Sequence, residues 1–188
     1  MTIPANPNTY LSKSQFIRGL QCHKSLYLHK YRPDLKDVIS EQQQKLFKTG
    51  IDVGRVAQQL FPNGLLITYD NVPLSDQIRI TTEEIQKGTV TLYEAAFSFN
   101  DVFAKLDILH RGPDGWELYE VKATTGVEDV HLDDIALQYY VLNGSGLPVS
   151  RVFLVHLNNE YVRNGDLEIE RLFTINDFTD TTKLKLPR

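Results

Sequence analysis

"VFAKLDILHRGPDGWELYEVKAT", residues 102–124, consists of two apolar runs separated by "RGPDG". Each run has strand-like alternation, and Gly-Pro-Asp-Gly is turn chemistry, so the stretch predicts an antiparallel hairpin. Period-two alternation puts Leu118, Glu120 and Lys122 on one face of the second strand, with Tyr119 and Val121 on the other. The first strand sets Asp107 between Leu106 and Ile108. A carboxylate in such a setting is costly to bury unless an ion pair or a metal offsets the cost. Taken alone, Glu120-x-Lys122 reads as a surface ion pair; its neighbours have to decide otherwise.

Upstream of the hairpin, "TVTLYEAAFSF" (89–99) reads as a third strand bearing Glu94, joined to the hairpin by the turn residues Asn100-Asp101. Three successive apolar strands therefore each carry one carboxylate. Downstream, "LDDIALQYYVLNGSG" (132–146) is a predicted helix with apolar Ile135, Leu137 and Val141, ending at Gly144 and carrying Gln138. "RVFLVHL" (151–157) is a continuous apolar run, as expected of a strand covered on both faces, and the alternating "DLEIERLFTI" (166–175) predicts an edge strand.

Nearer the N-terminus, Ser12 with Gln15 and Ser40 with Gln43 form capping boxes. They open two predicted helices, "SKSQFIRGLQCHKSLYLHKY" (12–31) and "SEQQQKLFKTGIDVGRVAQQLFPNG" (40–64). Gly50 and Gly54 lie on one face of the second, where each costs about 1 kcal/mol relative to alanine, so close approach of another backbone is the expected reason for them. "LLITY" (65–69) predicts a short strand, and Thr81 with Glu84 a third capping box, opening a brief helix that Gly88 ends. The expected architecture is one α/β domain over residues 11–188, behind a flexible leader of residues 1–10. Its sheet is mixed, an antiparallel meander plus a further strand, flanked by helices.

Composition narrows the function classes. Ordinary apolar content (41% hydrophobic) excludes global disorder, and 188 residues suffice for one substantial core. The single cysteine, Cys22, cannot form an internal disulfide and suits a reducing compartment. The opening "MTIPANPNTY" has neither a basic n-region nor an apolar h-region, and no run is long enough to span a bilayer. A soluble, cytoplasmic protein is the expectation. Residues 1–60 hold nine Lys/Arg against four Asp/Glu, and the remainder eleven against twenty. Basic residues are thus concentrated early and carboxylates late. Lys13, Arg18 and Lys24 near Tyr27 and Tyr31 fit either contacts to nucleic-acid phosphates and bases or a solvated helix face.

Carboxylates about 4.8 Å apart on adjacent strands can share a divalent ion. Oxygen ligands without matching His or Cys favour Mg²⁺ or Mn²⁺ over zinc. His23, His29, His110, His131 and His156 form no metal-ligand spacing, and His156 reads as a satisfied core residue. The chain has no glycine-rich phosphate loop and no Gly-x-Ser-x-Gly elbow. A glycosidase-type carboxylate pair would leave Lys122 without a role.

The ordered set of Glu94, Asp107, Glu120-x-Lys122 and Gln138 resembles the PD-(D/E)XK nuclease superfamily, in the branch of the RecB nuclease domain and the CRISPR-associated Cas4 exonucleases. "AKLDIL" is similar to the first acidic motif, "YEVKA" to the (D/E)-x-K motif, and Gln138 in "IALQYY" to the glutamine of the following helix. "LSKSQFIRGLQCHKSLYLHKY" and "KTGIDVGRVAQQLF" extend the likeness over most of residues 11–158. The resemblance implies a restriction-endonuclease-like core and a metal-dependent deoxyribonuclease acting on single-stranded ends or branched DNA. Roles in repair, mobile-element defence and CRISPR adaptation are all compatible with it.

By that resemblance, Asp107, Glu120 and the Val121 carbonyl would ligate Mg²⁺ or Mn²⁺, and Glu94 would be an accessory carboxylate. Lys122 would be the catalytic lysine, Gln138 would hold the site or the DNA backbone, and Tyr139 or Tyr140 would stand in for a tyrosine following the glutamine. Two departures are plain. Where many relatives carry a metal-binding histidine, this chain has Ala57 and Gln58. Cas4-like proteins hold an iron–sulfur cluster through four cysteines, and Cys22 matches only the first, so these residues cannot build it. Cys22 is then expected to be a small buried hydrophobe, unless the chain is the N-terminal part of a longer protein or meets a partner that supplies the rest. The alternative to a nuclease is a nuclease-like domain that binds nucleic acid or a partner protein without cutting.

Overall fold

The computed structural model describes residues 10–185, the side chain of Leu184 aside, so most of the expected leader lies outside the described residues. The hairpin forms as its sequence dictates. β3 (Thr91–Phe99), β4 (Val102–Gly112) and β5 (Gly115–Lys122) run as an antiparallel meander. Asn100 and Asp101 turn the first corner with φ of 47° and 58°, the left-handed pair a tight two-residue turn requires. β6 (Val149–Leu157) returns parallel to β5, and β7 (Phe173–Asp177) closes that edge antiparallel to β6. β2 (Leu65–Leu66) lies parallel to β3 at the far edge, giving the order β2-β3-β4-β5-β6-β7. The α/β class and mixed sheet expected from the sequence are what the chain adopts.

A seventh strand, β1 (Leu11–Ser12), pairs parallel with Val102 and Phe103 at the start of β4. β5 pairs with the other end of β4, from Ile108 to Gly112. One edge of β4 is therefore shared between β1 and β5, which part around Asp107.

Helices cover both faces. α4 (Leu74–Lys87) and α5 (Asp129–Gly144) pack on one side, over a core of Leu92, Leu106, Leu118, Ile135, Leu142 and Leu154. Each fully buried side chain of this kind contributes roughly 2 kcal/mol. α1 (Lys13–Gln21) joins this side through Phe16. On the other face, α3 (Glu41–Ala57) sets Val53, Val56 and Ala57 against Tyr93, Ile108, Tyr119 and Phe153. The Tyr93 hydroxyl fastens the C-terminal end of α3, accepting from the Gly64 N–H at 3.1 Å and meeting the Gln58 and Phe61 carbonyls. A Cβ at Gly64 would lie 2.3 Å from the Tyr93 ring, so only glycine permits this tether.

Several local expectations need correction. The long N-terminal helix breaks at Cys22 into α1 and α2 (His23–Tyr31). Cys22 is exposed rather than buried, and its Sγ caps α2 by accepting from the Ser25 N–H. The Thr81–Glu84 box opens nothing: α4 begins at Leu74, and Thr81 sits buried inside it, donating to the Gln77 carbonyl and accepting from the Ala96 N–H. Gly50 and Gly54 face open space, not a neighbouring backbone. The expected edge strand at 166–175 is in part a short helix, α6 (Ile169–Leu172), before β7 begins. A last helix, α7 (Thr179–Lys185), follows it. His156 is a satisfied core residue, bonded to the Leu157 carbonyl and the Asn176 amide. Among the described residues no helix is long and apolar enough to cross a membrane.

Candidate active site

The β4–β5 ladder stops at Ile108–Tyr119, one step short of pairing Asp107 with Glu120. In place of the ladder, the Asp107 carboxylate accepts from the Val121 N–H at 2.7 Å. On the other side, Tyr93 pairs with Ile108 and Ala95 with Leu106, which leaves Glu94 opposite Asp107 without a ladder bond. Glu94 has φ of 56°, a left-handed conformation that is uncommon for a glutamate. Backbone irregularity thus falls on two of the carboxylates the sequence singled out.

Glu120 is 1% exposed and held from three directions. Lys122 on its own strand and Lys13 at the start of α1 both donate to its Oε1, at 2.6 and 2.8 Å. Gln138 of α5, itself buried, donates to its Oε2 at 2.8 Å. Asp134, one helical turn before Gln138, completes the cluster. It pairs with Lys122, lies 3.4 Å from the Lys13 Nζ, and receives a second bond from Gln138 at 3.3 Å.

Electrostatics follow from this packing. Burial would push Glu120 up, but the two ammonium groups hold it well below the ordinary carboxylate range. Burial would lower Lys13 and Lys122, but Glu120 and Asp134 raise both. Among the described residues no such cation is in contact with Asp107. Burial and then the Glu120 charge push it up to about 8. Burial likewise raises Glu94, with Lys105 opposing, and raises Asp134 together with the Glu120 charge.

Carboxylates on adjacent strands share an ion most readily when they face the same way, and the structure divides Glu94, Asp107 and Glu120. Glu120 and Lys122 turn toward α1 and α5. Glu94, Asp107 and Val121 line a cleft of about 800 Å³ on the opposite side, under α3. Its walls include Gly50, Gly54, Arg55, Gln58 and Tyr69, and Lys105 stacks over the Tyr69 ring at 4.0 Å. The two groups meet at the strand end, where Val121 is bonded to Asp107 and flanked by Glu120 and Lys122.

Lys13 is an ion-pair partner inside the cluster, not part of an open basic face. Arg18 and Lys24 are exposed on α1 and α2, with Arg18 bonded to the Ser25 hydroxyl. Among the described residues neither Tyr139 nor Tyr140 is hydrogen-bonded to Glu120. Both pack partly buried against the core, and the Tyr140 hydroxyl accepts from the Asn100 amide. Ala57 is fully buried against the sheet, so its position is a core site, and the neighbouring Gln58 faces the cleft. Sequence reasoning missed Asp134. Its spacing four before Gln138 on one helix was the available signal.

The donor chemistry fits Mg²⁺ or Mn²⁺. Asp107 uses one oxygen on Val121, and its other oxygen has no hydrogen-bond partner among the described residues. Two carboxylates with water and substrate oxygens are a usual Mg²⁺ site. Among the described residues no three His, Cys, Asp or Glu side chains form a ready-made cage. The fit is therefore to a two-carboxylate site whose remaining positions water would complete.

No family model matches the chain. No curated protein matches it either. A solved structure described as the crystal structure of SSO0001 is similar at 10% identity and a TM-score of 0.35, covering 89% of this chain and 73% of that one.

Proposed function

We propose that this chain is a Mg²⁺- or Mn²⁺-dependent nuclease domain with a restriction-endonuclease-like core. It hydrolyses DNA phosphodiester bonds, with single-stranded ends or branched DNA as substrate, in the cytoplasm. One observation carries the reading. Asp107 interrupts its own strand pairing beside Glu120, and Glu120 is fixed by Lys122 two residues on and Gln138 on the next helix. A purely structural Glu120–Lys122 pair does not account for Asp107, half-buried beside Glu120 with only the Val121 N–H on its carboxylate among the described residues.

Asp107 and Glu120 would hold the ion, with the Val121 carbonyl and Glu94 as further oxygens at the cleft. Such an ion supplies charge neutralisation at the scissile phosphate and acidifies a water. The remaining tasks belong to the chain. Gln138 and Asp134 fix the rotamers of Glu120 and Lys122. The Lys122 ammonium offers its charge to the phosphate oxygens as they gain charge, and assists the attacking water in line with the leaving oxygen. Arg55 in the cleft, Lys105 over the Tyr69 ring at its wall, and Arg18 and Lys24 outside it meet the flanking phosphates, while the other face of the Tyr69 ring offers a surface for a base. The free Cys22 suits a reducing compartment.

The test is cleavage of end-labelled single-stranded DNA with Mn²⁺. Glu120→Gln, which keeps the shape of the side chain, is expected to lower the rate at least a hundredfold. Undiminished cleavage in Glu120→Gln or Lys122→Ala would remove the assignment. A second reading is a nuclease-like domain that binds nucleic acid or a partner without cutting. It is favoured by Glu120 being already saturated by two lysines. Calorimetric titration with Mn²⁺ separates the two, since only the nuclease binds the ion through Asp107 and Glu120.

A further inference from the structure

Lys122 alone provides Glu120 with an opposite charge from its own strand, yet a second ammonium is brought to the same carboxylate oxygen from the other end of the chain. β1 occupies the edge of β4 that β5 leaves, and Ser12 caps α1 there, so the helix begins with Lys13 at the gap beside Asp107. The Lys13 Nζ touches Glu120 at 2.8 Å and Asp134 at 3.4 Å. Two singly charged ammonium groups on one buried carboxylate supply as much charge as one divalent ion.

We propose that Lys13 is the resident counter-cation of the metal-free site and gives up Glu120 when a divalent ion arrives. The inference rests on the nuclease reading above. Three features of the position make the exchange feasible. The lysine ammonium is a compact charge on a flexible four-carbon stem. It sits in the first turn of α1, so its swing breaks no backbone hydrogen bond of the sheet. Its side chain is a quarter exposed and borders a solvent-open depression of about 350 Å³ shared with Ser14, Arg18 and Gln21, which gives it somewhere to go. Lys122 borders the same depression at a similar exposure, but it meets both Glu120 and Asp134 more closely than Lys13 does, so Lys13 is the weaker-held of the two.

The consequence has two linked signs. Lys13 stabilises the metal-free fold, and it competes with the metal for Glu120. Lys13→Met is therefore expected to unfold at lower temperature in EDTA, and to bind Mn²⁺ at least tenfold more tightly by calorimetry. Lys13→Gln, which keeps hydrogen-bonding capacity without charge, is expected to show the same tightening with a smaller loss of thermal stability. A third measurement needs no variant. Acetylation of lysines in the wild-type protein, read by mass spectrometry, is expected to speed up at Lys13 when Mn²⁺ is added, with exposed Lys24 as the unchanged reference. Mn²⁺ binding by the wild type with no tightening in either variant, or with Lys13 acetylation unchanged, overturns the exchange and leaves the nuclease reading standing. Absence of Mn²⁺ binding in wild type and variants alike overturns both.

Discussion

α5 and α3 flank the same sheet and are used in opposite ways. α5 buries half of its length, including Asp134 and Gln138, and locks Glu120 and Lys122 through hydrogen bonds. α3 buries only Ala57 and is fastened at that end by Tyr93 and Gly64. Apart from Val53 and Val56, which pack partly buried on the sheet, α3 borders the cleft, with Leu46 and Phe47 exposed and Gly50 and Gly54 facing open space. One helix fixes the reacting groups; the other leaves room for whatever they act on. The positions of the carboxylates follow from that division, with Glu120 on the packed side and Glu94 and Asp107 on the open side.

The comparison predicts substitutions of opposite sign on the two helices. The largest effect is expected on α5. Asp134→Ala leaves two ammonium groups sharing Glu120 in a poorly solvated cluster, and should cost about 3 kcal/mol in urea unfolding. A cost near zero would mean the packed face is not what braces the site. On α3 the sign reverses. Gly50→Ala adds a Cβ into open space within a helix, so unfolding should require about 1 kcal/mol more. Destabilisation there would mean that α3 is packed against something after all.

The third expectation concerns pH and separates the two carboxylates. Asp107 is raised from 3.8 to about 8. A carboxyl raised on folding contributes stability that is complete below its ordinary value and is lost as pH climbs through the folded one. In EDTA the Asp107 contribution should therefore decline from about pH 4 to pH 8, and Asp107→Asn should flatten that part of the stability profile. Glu120, held low, works the other way, losing its contribution on acidification. An unchanged slope in Asp107→Asn would place its charge elsewhere than beside Glu120. The smallest effect is expected outside the cluster. The double variant Arg18→Ala/Lys24→Ala should leave unfolding unchanged while reducing the salt dependence of single-stranded DNA binding by about one to two units of slope.

Local chemistry was legible in the sequence, and long-range chemistry was not. Alternation across residues 102–124 gave the hairpin, and Ser12 and Ser40 gave true helix starts, because each signal is complete within a few residues. Thr81 carried the same kind of Ser/Thr-x-x-Glu/Gln string and misled, since its hydroxyl bonds the Gln77 carbonyl and the Ala96 N–H of β3 from a helix interior. Cys22 misled in another way: composition argues for burial of a lone thiol, but the break between α1 and α2 needed a cap. Glu120, Lys122 and Gln138 were found because they lie within one strand–helix unit, whereas the place of Lys13 depends on a two-residue strand that no periodicity reveals. The split of the carboxylates between two faces was equally hidden, because it arises where Glu94 and Asp107 leave the regular ladder.

The shared edge of β4 also gives the site a history. Lys13 and Glu120 are 107 residues apart. At about 5–20 residues per second of synthesis, the lysine waits on the order of 5–20 s for the carboxylate it will neutralise. A chain that has built its meander and α5 but not yet docked β1 carries Glu120 and Asp134 with Lys122 as their one ion-pair partner among the described residues. Pairing of the first strand with β4 and neutralisation of Glu120 by Lys13 are thus one and the same closure between the two ends of this stretch of chain.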